Sequence, residues 1–328
     1  MVKISIKAII LAFMAIAFVS CAEDKAESNR SIQERVLNAY LDSKDFKAKY
    51  PNAEVMPSGI VILEQQLGFG DVLNRRDAAY FEYTTQSLSG EYLNTTDEDV
   101  AKQLGVFSNS KYYGPALFEI GYKSTYVGLE EVMTGMQEGG RVKFILPPWL
   151  TNTESEPEWG ESSNLIFDIE LKHVITDILK WEEDSMKAYA NLHYPGLDTL
   201  SSNFYLKKLS ESSKDSLESG SVKVYYIGRL LDGFVFDTNI KDTAKKYGIY
   251  NPDNEYNPLD VVYRKDLDEM LKDNSLVTGF CMAIQNMGYN ETAFTMFGSK
   301  YGYDSDGKDP IGPYQPLTFW LQTLPEEE

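Results

Sequence analysis

Two histidines, His173 and His193, and two cysteines, Cys21 and Cys281, are the chain's whole supply of imidazole and thiol. Four such residues, spread this far apart, make neither a zinc site nor a nucleophile–base triad. His173 and His193 flank a helical stretch, nothing nearby completes a ligand set, and both read as surface or packing residues. Cys281, between Phe280 and Met282, reads as a buried small apolar side chain. The run Asp304-x-Asp306-Gly307-x-Asp309 has the opening spacing of a calcium loop but lacks its closing Glu, so it reads as a polar turn. No metal and no cofactor is expected. What the chain has in quantity is rings: 22 Tyr, 16 Phe and 4 Trp in 328 residues. The chain can therefore fill large cores and aromatic-lined pockets, and the scarcity of His and Cys argues against most hydrolytic chemistry.

Charge narrows the partners. The chain carries 31 Lys+Arg against 50 Asp+Glu, a net −19. Nucleic acid is excluded as a default partner, because phosphate binding needs a basic face. At the N-terminus, Lys3 and Lys7 precede an apolar run over 8–19, too short for a confident membrane span. That run ends in Phe18-Val19-Ser20-Cys21, a small residue before a cysteine, which resembles a bacterial lipobox with Phe18 where Leu is usual. The resemblance implies cleavage after residue 20 and acylation of Cys21. The protein would then be held at the bacterial cell envelope, at the outer membrane, by lipid rather than by a spanning helix. The polar stretch that follows reads as a tether.

Elements must position the rings. Ile32, Val36, Leu37, Tyr40, Leu41 and Phe46 recur at helical spacing, with Ser31 and Glu34 as a capping box. Thr176 to Asn191 predicts a second helix, closed by Tyr194-Pro195-Gly196. Elsewhere the chain reads as short alternating strands, and it repeats itself. Tyr83 and Tyr226 lie 143 positions apart, and so do Gly90 and Gly233, Ala101 and Ala244, Gly105 and Gly248, and Pro115 and Pro258. Gly128 and Gly279, like Met136 and Met287, lie 151 apart, so the second copy gains eight residues around Arg264 to Asp273. Two copies of one domain are expected.

The second copy carries motifs that identify a family resemblance. Tyr226-Ile227-Gly228 followed by Leu231-Asp232-Gly233-Phe234-Val235-Phe236-Asp237 reads as a hairpin. It closely resembles the signature of the FKBP-type peptidyl-prolyl isomerases. Val277-Thr278-Gly279-Phe280, Tyr301-Gly302-Tyr303 and Ile311-Gly312-Pro313…Leu317-Thr318-Phe319 resemble later family motifs, in family order. The first copy is similar more loosely, through Pro115 to Gly121, Gly128 to Met136 and Asn164 to Leu171. The whole chain resembles the bacterial gliding-motility-associated isomerase lipoproteins.

The resemblance implies an α+β chain of two FKBP-like domains, each a bent antiparallel sheet wrapped on a short helix. The expected divisions are a signal peptide over 1–20, tether and N-terminal helix over 21–56, a degenerate domain over 57–175, a helical linker over 176–201 and an isomerase domain over 202–328. It implies an isomerase that assists the folding of exported, proline-containing polypeptides. Tyr226, Phe236, Asp237, Val277, Phe280, Tyr303, Ile311 and Phe319 would form its pocket, with Phe280 as floor and the Tyr303 hydroxyl on the substrate carbonyl. Phe280 stands where Trp is commonest, and Asp304 where Gly is usual. In the first copy Leu93 and Asn94 replace the Phe-Asp pair, Leu129 the floor and Thr151 the late tyrosine, so that copy is expected to be inactive. A different class of function, a non-catalytic binding or chaperone lipoprotein built on these modules as scaffolds, accounts for the degraded copy and for the insertion each copy carries after the Phe-Asp position.

Overall fold

The computed structural model describes residues 28–121, 126–152, 163–197, 199–210, 217 and 220–324. Cys21, the leader before it and the acidic end Pro325–Glu328 lie outside the described residues. Strands form where apolar and polar residues alternate. In the first half these are β1 (Glu54–Val55), β2 (Val61–Gln66), β3 (Ala78–Ser87), β4 (Tyr92–Thr95), β5 (Ala116–Glu119), β6 (Arg141–Leu146) and β7 (Leu165–Ile175). In the second they are β8 (Thr199–Ser201), β9 (Phe204–Lys208), β10 (Gly220–Arg229), β11 (Val235–Thr238), β12 (Leu259–Tyr263), β13 (Thr292–Phe297) and β14 (Leu317–Thr323).

Each set makes one seven-stranded antiparallel sheet. The orders are β4-β3-β7-β6-β2-β1 with β5 beside β3, and β11-β10-β14-β13-β9-β8 with β12 beside β10. The sequence repeat is therefore a repeat of topology. It holds to the single residue. In the first hairpin Thr84 faces Thr95 and Thr85 faces Asn94; in the second Ile227 faces Thr238 and Gly228 faces Asp237. Both hairpins slip register at the same place, opposite Leu93 and Phe236. Because strand side chains alternate faces, a slip of one residue elsewhere would turn every core residue outward, so two copies that bury the same face must share a register.

The helices are α1 (Asn29–Asp42), α2 (Lys44–Lys49), α3 (Glu98–Gln103), α4 (Val127–Met133), α5 (Ile178–His193), α6 (Lys241–Lys246), α7 (Leu267–Asp273) and α8 (Thr278–Gln285). The N-terminal helix departs from its sequence reading. The cap is Ser28, whose hydroxyl accepts the Ser31 N–H at 3.2 Å, and Glu34 pairs with Arg30 instead of closing a box on Ser31. The helix also breaks at Ser43, which ends α1 and caps α2 through the Phe46 N–H. A serine can satisfy orphan N–H groups at any helix start, so composition alone does not choose among Ser28, Ser31 and Ser43.

Stretches of β2, β6 and β7, among them Val61–Leu63, Phe144–Leu146 and Leu165–Phe167, are buried on both faces, which is why they read as continuous apolar runs. One face, with Phe81, Phe144 and Phe167, encloses Leu129 and Met133 of α4. The other, with Val61, Ile145 and Ile166, is covered by Leu37, Phe46 and Tyr50 of the N-terminal segment. The second sheet repeats the plan: α8 fills its concave face, and Met186 and Ala190 of α5 cover Tyr205, Phe294 and Met296 on the other. The helix between the copies thus packs on the second copy as the N-terminal helices pack on the first. The eight extra residues of the second copy lie where α7 forms, and an Arg264–Asp273 ion pair at 2.7 Å spans it.

The inserted segments are short helices in both copies. Ala101 and Ala244 are buried beneath them, and Gly105 and Gly248 end them with φ of 72° and 70°. That left-handed geometry favours glycine at a helix end.

Candidate active site

Strand β14 carries Phe319 along the floor of the concave face, opposite Gly228 on β10. Around Phe319 the other rings converge: Phe280 at 5.4 Å, Phe236 at 5.7 Å and Tyr226 at 6.2 Å between centroids. Phe280 also meets Tyr226 edge to face at 5.8 Å. Beneath lies Phe297, stacked on Phe319 at 5.7 Å. Edge-to-face contacts of this kind suit the ring quadrupole and fix each ring's orientation. Val277, at the N-cap of helix α8, packs on the same core, and the helix presents Phe280 in its first turn. Ile311 is buried in the cluster and Tyr303 packs against it, its ring approached by the Lys308 ammonium at 5.3 Å. The Tyr226 hydroxyl donates to Asp237 Oδ2 at 2.8 Å. Burial, with the Asp237 carboxylate beside it, holds that phenol far above its usual pKa, so it stays a donor. All eight residues singled out from the sequence therefore meet around one apolar cluster.

Glycine 228 decides whether the cluster can form. A β-carbon there would lie 2.6 Å from two atoms of the Phe236 ring and 2.9 Å from Phe319. Phe236 is the residue at which the hairpin slips register, and a bulge turns such a side chain out of the regular alternation. The absent side chain of Gly228 leaves the space it enters. In the first copy Thr85 stands at the same register position, opposite Asn94 and Phe167, and is buried. Leu93, the counterpart of Phe236, is 52% exposed. Asn94 reverses the polarity of the tyrosine pair, its amide donating to the Tyr83 hydroxyl at 3.1 Å. Phe118 contacts Tyr83 at 6.0 Å, but it sits on β5 at the position of Val261 and fills the first copy's interior from the side. Phe167 stacks on Phe144, directly across on β6, at 5.6 Å, where the second copy has Thr295 opposite Phe319.

The two departures in the second copy are accommodated. Phe280 is 3% exposed, so the smaller ring is packed rather than loose. Asp304 takes φ 47°, the left-handed conformation glycine would supply, and its carbonyl accepts the Tyr314 N–H at 2.8 Å. Asp tolerates this region better than most residues. Asp304→Gly is expected to shift stability by less than about 1 kcal/mol, because relief of the left-handed strain opposes the chain entropy glycine adds. Urea unfolding checks it; a larger shift would mean the aspartate side chain itself holds the loop.

Four residues of the site and its surroundings were not singled out from the sequence. Gly228 lay inside the hairpin motif without a role. Tyr112, from the first copy's insertion, packs on the second copy's core and meets Phe234 edge to face at 5.3 Å. Its phenol is raised by burial and by Asp232. Asn109, on the same insertion, fills the space beside Gly248. Glu182 reaches the second copy from α5. Behind these contacts a cavity of about 330 Å³ lies between the copies, walled by Tyr80, Trp181, Tyr314 and Glu182 among others.

His173 packs at a tilt against Trp181 at 4.3 Å and meets Glu138 at 2.8 Å, and His193 packs at a tilt against Tyr189, so both histidines pack. Burial pushes the Cys281 thiol up to about 11, away from reactivity. Among the described residues no group of three or more His, Cys, Asp or Glu could hold a metal ion.

Residues 94–172 match the family model for FKBP-type peptidyl-prolyl cis-trans isomerases. The chain carries an FKBP-type domain. An FKBP-type isomerase named FkpA, from Buchnera aphidicola subsp. Acyrthosiphon pisum, is 25% identical over 155 residues, which is 47% of this chain and 58% of that relative. The match thus spans little more than half of the relative's length. Among solved structures, a peptidyl-prolyl isomerase from Pseudomonas syringae is 26% identical, covering 45% of this chain and 91% of that one at a TM-score of 0.33. The three FKBP domains of wheat FKBP73 are 15% identical, covering 82% and 95% at a TM-score of 0.29. The family match falls on the first copy, from β4 into β7. The second copy shares the first copy's strand order and hairpin register. Among the described residues no helix is long and apolar enough to cross a membrane.

Proposed function

We propose that the chain is a peptidyl-prolyl cis-trans isomerase whose catalytic cleft is that of the second copy. The observation that carries this reading is the convergence of Tyr226, Phe236 and Phe280 on Phe319 over a Gly228 that leaves room for them. Rotation about an X-Pro bond breaks amide resonance, at a barrier of about 18–20 kcal/mol. No nucleophile, metal or proton transfer is obligatory. The site need only bind the twisted amide better than either planar form. Apolar rings can hold the prolyl ring and strip water from its carbonyl, whose resonance with the nitrogen then weakens. The Tyr303 hydroxyl supplies a donor to the substrate carbonyl, and the Tyr226–Asp237 pair fixes the cleft's polar edge. Val277 and Ile311 close the apolar wall.

The clients are proline-containing segments of exported polypeptides. Lipid on Cys21 holds the protein at the cell envelope, a reading supported by Lys3, Lys7 and the apolar run before Ser20-Cys21. The first copy is a non-catalytic scaffold, because Thr85, Leu93 and Asn94 stand where the second copy has Gly228, Phe236 and Asp237.

A protease-coupled assay on an X-Pro peptide tests the proposal. Wild type is expected to exceed the uncatalysed rate, and the Phe236→Ala/Tyr303→Ala double variant to lose at least about tenfold in kcat/KM. Equal rates in the two proteins, or no rate above background in wild type, overturn it.

A further inference from the structure

We propose that Glu182, on the helix that leads into the second copy, is a positioning residue for Tyr303: its carboxylate clamps Ser299 and so fixes the turn that delivers the tyrosine to the cleft. The proposal rests on the isomerase reading of the second copy.

Glu182 is 3% exposed and Ser299 1%. One carboxylate oxygen accepts the Ser299 backbone N–H, and the other accepts the Ser299 hydroxyl at 2.9 Å. The two residues are 117 positions apart, so this contact joins α5 to the second copy's catalytic loop. A charged group is this deeply buried only where hydrogen bonds replace its water. Lys300 and Asp304 are the charged groups facing it, and burial raises its carboxyl above the usual range.

Ser299 is the hub of the turn. Its carbonyl accepts the Gly302 N–H at 2.7 Å and the Asp304 N–H at 2.9 Å, the residues on either side of Tyr303. Both bonds hold Tyr303 in place only if Ser299 is itself fixed. Gly298 makes room for the clamp, since a β-carbon there would lie 2.8 Å from Glu182 Oε1.

The first copy supplies the contrast. The turn Pro148–Leu150 occupies the place of Ser299–Tyr301, at the 151-residue offset that also relates Leu146 to Phe297. Pro148 stands at the position of Ser299 and has neither an N–H nor a hydroxyl to offer a carboxylate. At that offset Thr151 matches Gly302, its N–H bonding the Pro148 carbonyl as that of Gly302 bonds the Ser299 carbonyl, and Asn152 rather than Thr151 stands in place of Tyr303, so the copy without the clamp is also the copy without the late tyrosine. Clamp and tyrosine occur together.

The test uses the full chain with Glu182→Ala, Glu182→Gln and Ser299→Ala. Amide hydrogen exchange at Gly302 and Asp304 reads the turn, exchange in β10 and β14 reads the rest of the copy, and kcat/KM on an X-Pro peptide reads the cleft. Glu182→Ala is expected to speed exchange at Gly302 and Asp304, to leave β10 and β14 protected, and to lower kcat/KM about tenfold, as displacement of a positioned group does. Glu182→Gln keeps an acceptor for the Ser299 N–H and should restore most of the protection and rate. Unchanged exchange at the two amides, equal loosening of β10 and β14, or a loosened turn with an undiminished rate overturns the proposal. Should Glu182→Ala fail to fold, Ser299→Ala removes only the hydroxyl bond and is expected to show the same pattern more weakly; no change there counts against the clamp. Absence of wild-type isomerase activity defeats the isomerase reading, and exchange still decides whether Glu182 holds the turn.

Discussion

Gly228→Thr is expected to cost the protein its isomerase activity while leaving the second copy folded. The substitution transplants the first copy's residue, Thr85, onto the same register position. A β-carbon at 228 would lie 2.6 Å from the Phe236 ring, far inside contact distance, so Phe236 must leave the cleft. The first copy shows where such a side chain goes: Leu93, at the equivalent place, is half in solvent. It also shows that this backbone accepts threonine there without losing its register. With one wall gone and the cleft open to water, the rings no longer enclose a prolyl group. A fall in kcat/KM of at least about a hundredfold is expected, with the circular dichroism spectrum unchanged. Activity within a few-fold of wild type would mean that Phe236 is core, and that the cleft is elsewhere.

Phe319→Ala should be the most destabilising single change in the second copy. Phe319 is 6% exposed and touches four other rings, those of Tyr226, Phe236, Phe280 and Phe297. Its removal leaves a cavity that rings fixed on four separate elements cannot collapse to fill. Phe→Ala at such a site costs about 3–5 kcal/mol, a large share of the stability of a domain this size. Urea unfolding of the full chain, followed by exchange in β10 and β14, measures it within the second copy. A cost below about 1 kcal/mol would show that the ring cluster is loosely packed, and a loosely packed cleft could not hold a twisted amide.

Both expectations depend on a comparison the molecule makes with itself. Two copies share strand order and hairpin bulge, yet differ at the residues that open the cleft. Leu93 and Asn94 show part of that difference by type alone. Thr85 does not look significant until the register sets it opposite Phe167 and in the space that Phe236 fills in the other copy. The family match on the first copy and the full ring set in the second are therefore compatible. The fold is common to both, and the cleft depends on a few side chains within it.

What the sequence determined by itself was the repeat and the class of chemistry. Equal spacings of 143 and 151 residues translate directly into equal registers, because strand side chains alternate with a period of two and a shared core permits no slip. The motifs were also enough to gather eight residues that meet around one cluster, since each belongs to a local element whose partner strand the repeat already fixed. The scarcity of His and Cys pointed to chemistry made from rings. Only the tertiary structure decided which serine caps the first helix, what Gly228 makes room for, and how the rest of the chain reaches the second copy. The Glu182–Ser299 clamp, the Tyr112–Phe234 contact and the Gln315–Tyr80 hydrogen bond at 3.1 Å join residues 117 or more positions apart. No periodicity relates such residues. They meet because two sheets and the helix between them pack in one arrangement, and that packing is a property of surfaces, which a one-dimensional pattern does not encode.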